Sequence, residues 1–125
     1  MNATFEQIIA RAEALGIPIT EYEFKATKQN PAPAPPFIVY MKTERQTGPD
    51  GFNRIRQIDA SLELYTDRKS DPALEKRIED EVLFDVEFVK QGVLIQSENM
   101  FQAAFDFSVV QKKGKPFKEG RSNNG

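Results

Sequence analysis

The sequence predicts an α+β domain: a mainly antiparallel sheet with two helices packed on one face and a protruding hairpin or loop. Three observations lead there. Apolar residues recur at helical spacing in two short stretches, 4–15 and 71–84. They alternate elsewhere, most cleanly over Ile58 to Tyr65 and Met100 to Val110. Most strands follow one another without a helical crossover, which favours antiparallel pairing with the helices gathered on one side.

The first helix is expected over Thr4 to Leu15, where Phe5, Ile8, Ile9, Ala12 and Leu15 make one stripe. Thr4 followed by Gln7 matches a capping box, and Gly16 and Pro18 end the helix. A strand is expected from Ile19 to Lys25, with Thr20, Tyr22 and Phe24 on one side and Glu21, Glu23 and Lys25 on the other. The proline run Pro31 to Pro36 reads as a stiff connector in preference to a ligand for a proline-reading domain. Phe37 to Lys42 is apolar on both faces, which suits a covered or central strand. Thr43 to Arg56 is polar around the turn Gly48-Pro49-Asp50-Gly51 and reads as the projection.

Ile58 to Tyr65 is the third strand. Asp71 suits an N-cap with Pro72 in the first turn, and the helix runs to Phe84 with Leu74, Ile78 and Val82 inward and Glu75, Glu79 and Asp80 outward. Asp85 to Lys90 and Val93 to Gln96 read as two strands about a Gln91-Gly92 turn. Met100 to Val110 is the longest strand, with Phe101, Ala103, Phe105, Phe107 and Val109 on one face. The domain is expected over residues 1–110, with 111–125 a basic, flexible tail.

Composition narrows the chemistry. The 125 residues suit one domain with a single core. No apolar run nears the ~20 residues of a membrane span. Met1-Asn2-Ala3-Thr4-Phe5-Glu6 lacks the basic-then-apolar pattern of a secretory leader, so none is expected. Cysteine and histidine are both absent, which removes thiolate nucleophiles, disulfides, the Ser-His-Asp arrangement and the usual zinc ligand sets. Residues 1–110 carry 12 basic and 18 acidic side chains, a net of −6, whereas 111–125 carry a net of +4. An acidic body repels phosphate backbones, which disfavours general nucleic-acid binding.

The remaining polar groups admit a plain and a functional reading. Glu21 and Glu23, two apart on one strand, are a solvated face before they are an acid–base pair. Glu79, Asp80 and Glu81, clustered in sequence with Asp85 and Glu87, diverge on a helix turning about 100° per residue, so a solvated face is expected before a cation site. No metal or cofactor is expected. Gly48-Pro49-Asp50-Gly51 lacks the glycines and the following Lys-Ser/Thr of a phosphate loop. Arg45, Arg54 and Arg56 give the projection a basic rim that suits phosphate or, in preference, an acidic neighbouring subunit. Phe52 and Tyr65 are aromatic interface anchors or local packing residues, both readings standing.

The ordered set Pro35-Pro36-Phe37-Ile38-Val39-Tyr40, a polar projection, Leu62-Glu63-Leu64-Tyr65-Thr66-Asp67, Glu75, Ile78-Glu79, Phe88, Ile95, Glu98-Asn99-Met100-Phe101-Gln102 and Phe107 resembles the tail terminator, or tail-completion, proteins of long-tailed bacteriophages and prophages. The resemblance spans roughly residues 17–110. Phe105 stands where such sequences often have Tyr, and the Gly-Pro-Asp-Gly turn departs from the usual projection. The resemblance implies a small α+β subunit without enzymatic activity or cofactor. It implies a ring, commonly a hexamer, that caps the head-proximal end of the tail tube, ends tube polymerisation and meets head–tail connector proteins. Its partners would be itself, the tube protein and the connector, with DNA only passing through the channel and no membrane. Its place would be the virion tail, after assembly in the bacterial host cytoplasm.

Ring contacts join two different patches on one chain. Arg45, Arg54 and Arg56 against Glu75, Glu79 and Asp80 of a neighbour are the expected pair, with Phe52 and Tyr65 as separate candidate anchors, and Glu21, Glu23 and Glu63 the expected lumen lining. A head–tail joining protein of similar size, and a small ligand-binding or carboxylate-based enzyme domain, are the competing readings. The last would be favoured by a deep cavity with buried, converging carboxylates.

Overall fold

Eight apolar side chains of the two helical stripes, Phe5, Ile8, Ile9, Ala12 and Leu15 of the first and Leu74, Ile78 and Val82 of the second, join or pack against a single core. The structure, a computed structural model, describes residues 3–48 and 55–112. Helix α1 (Phe5–Glu13) forms as its periodicity predicts, burying Phe5, Ile8, Ile9 and Ala12. Its capping box is complete: the Thr4 hydroxyl accepts from the Gln7 amide, and the Gln7 side chain accepts from the Thr4 amide at 2.9 Å. Two otherwise unpaired donors at the helix start are thereby satisfied.

Five strands make one sheet: β1 (Ile19–Glu21), β2 (Phe37–Thr47), β3 (Ile55–Asp67), β4 (Phe88–Ile95) and β5 (Met100–Lys112), in the order β1-β2-β3-β5-β4. With its helices this is the α+β fold the sequence predicts. Pairing is antiparallel except between β1 and β2, which run parallel. The proline-rich segment 22–36 supplies the crossover of a dozen or more residues that a parallel pair requires. An expectation of consecutive antiparallel strands therefore fails at this one step.

β1 is also shorter than the predicted Ile19–Lys25. Tyr22 takes a positive φ of 67°, and the Glu23 amide turns back to the Glu21 carbonyl. The alternation read through residues 22–25 is broken there.

Between β3 and β4, Asp71 caps α2 (Pro72–Arg77) by accepting from the Leu74 amide at 3.1 Å, with Pro72 in the first turn. The helix then widens into a π-helical turn over Ile78–Val82, closed by the Leu83 amide on the Ile78 carbonyl at 3.0 Å. The extra residue per turn carries Leu83 into the core beside Ile78 and Val82.

Both helices lie against the same face of the sheet. Ile38 of β2, Ile58, Ala60, Leu62 and Leu64 of β3, and Ala103, Phe105, Phe107 and Val109 of β5 join them in one buried cluster. Arg11 fastens the helices together: it donates to both Asp85 carboxylate oxygens at 2.8 and 3.2 Å and to the Val82 carbonyl at 3.1 Å, and it lies over the Phe84 ring. No helix among the described residues is long and apolar enough to cross a membrane.

One further expectation is corrected. Gln91-Gly92 is no turn, because β4 pairs with β5 without a break from Phe88↔Phe107 to Ile95↔Met100. A Cβ on Gly92 would come within 2.6 Å of the Phe101 ring, so this glycine admits an aromatic neighbour and does not reverse the chain. The reversal comes later, over Gln96–Glu98 and Asn99 at φ 53°. The projection is the extended β2–β3 ladder, paired out to Thr47↔Ile55, and β5 braces it as far as Ile55↔Lys112.

Candidate interaction surface

Strand alternation divides the sheet into two chemically different faces. The helix-bearing face takes one set of alternate residues. The other set leaves Met41 and Thr43 of β2, Asp59 and Ser61 of β3, Asp106 and Ser108 of β5, and Val89 of β4 without a covering layer. With Tyr22 and Glu87 they border an open trough of about 810 Å³. The Ser108 hydroxyl donates to the Asp59 carboxylate of its directly paired strand neighbour. Lys42 borders the trough too, but its ammonium turns to the helix side, 3.5 Å from Glu44 and above the Phe5 ring. The surface is thus acidic and hydroxyl-rich with apolar patches. Asp59, Asp106 and Glu87 are exposed, not buried and converging. Among the described residues no group of three acidic side chains is set to hold a metal ion.

One end of this face is covered by aromatic rings. Phe24 meets Phe37 edge-on at 5.4 Å, and Phe37 stacks on Tyr65 at 5.1 Å. The Tyr65 hydroxyl donates to Glu63 at 2.9 Å and accepts from the Gln102 amide at 2.8 Å. Burial, opposed by the Gln102 bond and reinforced by the bond to Glu63, raises the Tyr65 phenol above its ordinary pKa. Within the chain Tyr65 thus packs locally.

The expected basic rim is divided. Arg45 and Gln57 are paired neighbours on the open face and share a 2.8 Å hydrogen bond. Arg56 faces the helices, where it donates twice to Glu44 at 2.9 Å and once to Glu6 at 3.2 Å. Those bonds from Arg56, with a further one from Gln46, hold the Glu44 carboxyl down to about 2. Phe52 and Arg54 lie outside the described residues.

The expected acidic partner surface is divided as well. Glu75 is not outward: it is 8% exposed and receives the Lys90 ammonium at 3.2 Å. Lys90 also reaches Glu79 at 2.7 Å, and its pKa is raised chiefly by that bond. The Glu75 Oε2 atom has no hydrogen-bond partner among the described residues. Asp80 stays exposed beside Lys76. The helical stripe of Leu74, Ile78 and Val82 spans enough arc to take Glu75 with it, and only the strand that supplies Lys90 makes that burial tolerable.

The three expected lumen acids do not share a surface. Glu63 pairs with Val39 on the open face, Glu21 pairs with Tyr40 on the helix-bearing face, and Glu23 follows the turn at Tyr22. Sequence reasoning missed the trough itself. Its residues were visible as the polar half of each alternation, but which strands lie side by side was not.

Against known proteins, no family model and no curated protein matches this chain.

Proposed function

We propose that this chain is a structural subunit of a bacteriophage tail, one that forms a ring, commonly a hexamer, on the head-proximal end of the tail tube. There it ends tube polymerisation and offers the surface that meets the head–tail connector. It assembles in the host cytoplasm and travels in the virion tail, with DNA passing through its channel. One observation supports the reading most. The segments that carry the terminator resemblance, 35–40, 62–67 and 98–102, fall on or lead into β2, β3 and β5, which are hydrogen-bonded side by side. Beside them the sheet keeps one broad face open, a surface of the kind a subunit offers to other chains.

The test is to add the purified chain to polymerising tube protein and follow tube length by electron microscopy. Arrested tubes with a ring of density at one end are expected. Tubes that lengthen as they do alone, with bare ends, would overturn the proposal.

A further inference from the structure

The two edges of the sheet are guarded very differently. β1 has three residues, ends at the positive φ of Tyr22 and is followed by a chain that curls over it, with the Thr20 hydroxyl on the Glu23 carbonyl. Short length, a kink and adjacent carboxylates are ordinary ways to keep an edge from pairing. β4 has neither the short length nor the kink, and although Glu87 precedes it, it carries no carboxylate within its own length. It runs eight residues in unbroken register, holds no proline, and exposes Val89, Val93 and Leu94 by 61%, 48% and 52%. Its one charge, Lys90, is drawn onto Glu75 and Glu79 of the helix layer. Among the described residues no strand pairs with its outer side. An edge of this kind is a row of unspent backbone donors and acceptors.

We propose that this edge pairs with the same strand of a second copy, antiparallel and centred on Gln91, making one ten-stranded sheet with all four helices on one side. The strand's own order selects that partner and register. About Gln91, Val89 of each copy meets Val93 of the other on the open face, Phe88 meets Leu94, and Lys90 falls opposite Gly92, where there is no side chain to oppose it. Centring on Lys90 instead sets ammonium against ammonium, which is destabilising. Centring on Gly92 sets Lys90 against Leu94. Centres between residues turn the two helix layers to opposite sides, because side-chain direction alternates along a strand. Charge fits as well. Each copy brings one ammonium and two carboxylates, and Glu75 Oε2 is unpartnered. The two Lys90 ammoniums, diagonal across the new pairing, therefore enter a neighbourhood with carboxylate in excess. This pairing does not depend on the proposed ring; it describes the chain by itself.

The chain has no native cysteine, so Gln91→Cys gives a clean readout. Residues directly opposed across an antiparallel pair lie about 4.5–5.5 Å apart at Cα, within disulfide range. Under mild oxidation Gln91→Cys should form a disulfide dimer rapidly, while the exposed control Ser97→Cys should not. In sedimentation equilibrium over a wide dilution series, the wild-type chain should reach a dimer. Val89→Lys with Val93→Lys, which sets like charges opposite each other twice, should weaken it at least about tenfold. Val89→Lys with Val93→Glu should restore it. A wild-type chain that stays monomeric or forms only larger rings, cross-linking of Ser97→Cys as fast as Gln91→Cys, or failure of the Lys/Glu exchange to restore the dimer would each overturn the pairing. None of these results bears on tube arrest, which tests the ring separately.

Discussion

One face of the sheet shuts alternate side chains of β2, β3 and β5 away from water beneath two helices, while the other, beyond its aromatic-covered end, leaves intervening side chains of the same strands open to solvent. Ile58 and Asp59, Leu62 and Glu63, and Phe105 and Asp106 are chain neighbours with opposite fates. On the covered face each side chain is fixed by what it touches. On the open face Asp59, Asp106 and Ser108 are held in position by a backbone that the other face stabilises. The open face can therefore vary or dock without the fold depending on it.

Substitutions on the two faces should separate sharply. Phe105 is fully buried and packs against Phe88. Phe105→Ala should cost about 3–5 kcal/mol, read as a fall in the denaturant midpoint. Gly92→Ala on the helix-bearing side should cost about 1–3 kcal/mol, because the Phe101 ring must shift to admit the methyl group. A thermal melt that matches wild type would mean that the ring moves freely.

Arg56→Met removes three charged hydrogen bonds at the hairpin base, and a loss of about 1–2 kcal/mol is expected. The same site sets an acid limb. Glu44 is held at about 2 in the folded chain against an ordinary 4.5, so the unfolded chain binds the extra proton between those values. Its contribution is complete above about pH 4.5 and is lost as pH falls towards 2. Urea midpoints measured down that range should fall less steeply in Arg56→Met than in wild type. On the open face Asp106→Asn should change stability by no more than about 0.5 kcal/mol. A larger loss there would mean that this face also carries the fold.

Much of the architecture could be read from local pattern. The Thr4–Gln7 box, the Asp71-Pro72 start and the alternation through Ile58–Tyr65 and Met100–Val110 each rest on interactions within a few residues, and each forms as read. What escaped depends on elements that are distant in sequence. Gly92 has a glycine's usual meaning until Phe101 is placed above it. Glu75 is a solvated acid until Lys90 of β4 arrives. The proline run is the connector it was read as, but that the chain around it is long enough to let β1 run parallel to β2 shows only once the two strands are placed side by side. For the candidate surface the legible part was smaller still. The polar residues could be assigned to strand faces, but the division of Arg45 from Arg56 and of Glu21 from Glu63 follows from strand register.

The clasp formed by Arg11 has a consequence for a chain made from its amino terminus. The Phe5 amide donates to the side chain of Gln111, 106 residues on, and Arg11 waits for Val82 and Asp85. Helix α1 is made before the elements it packs on and is thus among the last to find its seat. Until nearly the whole domain has emerged, its apolar stripe has no home, and a chaperone or a slow translation rate would matter most in that interval.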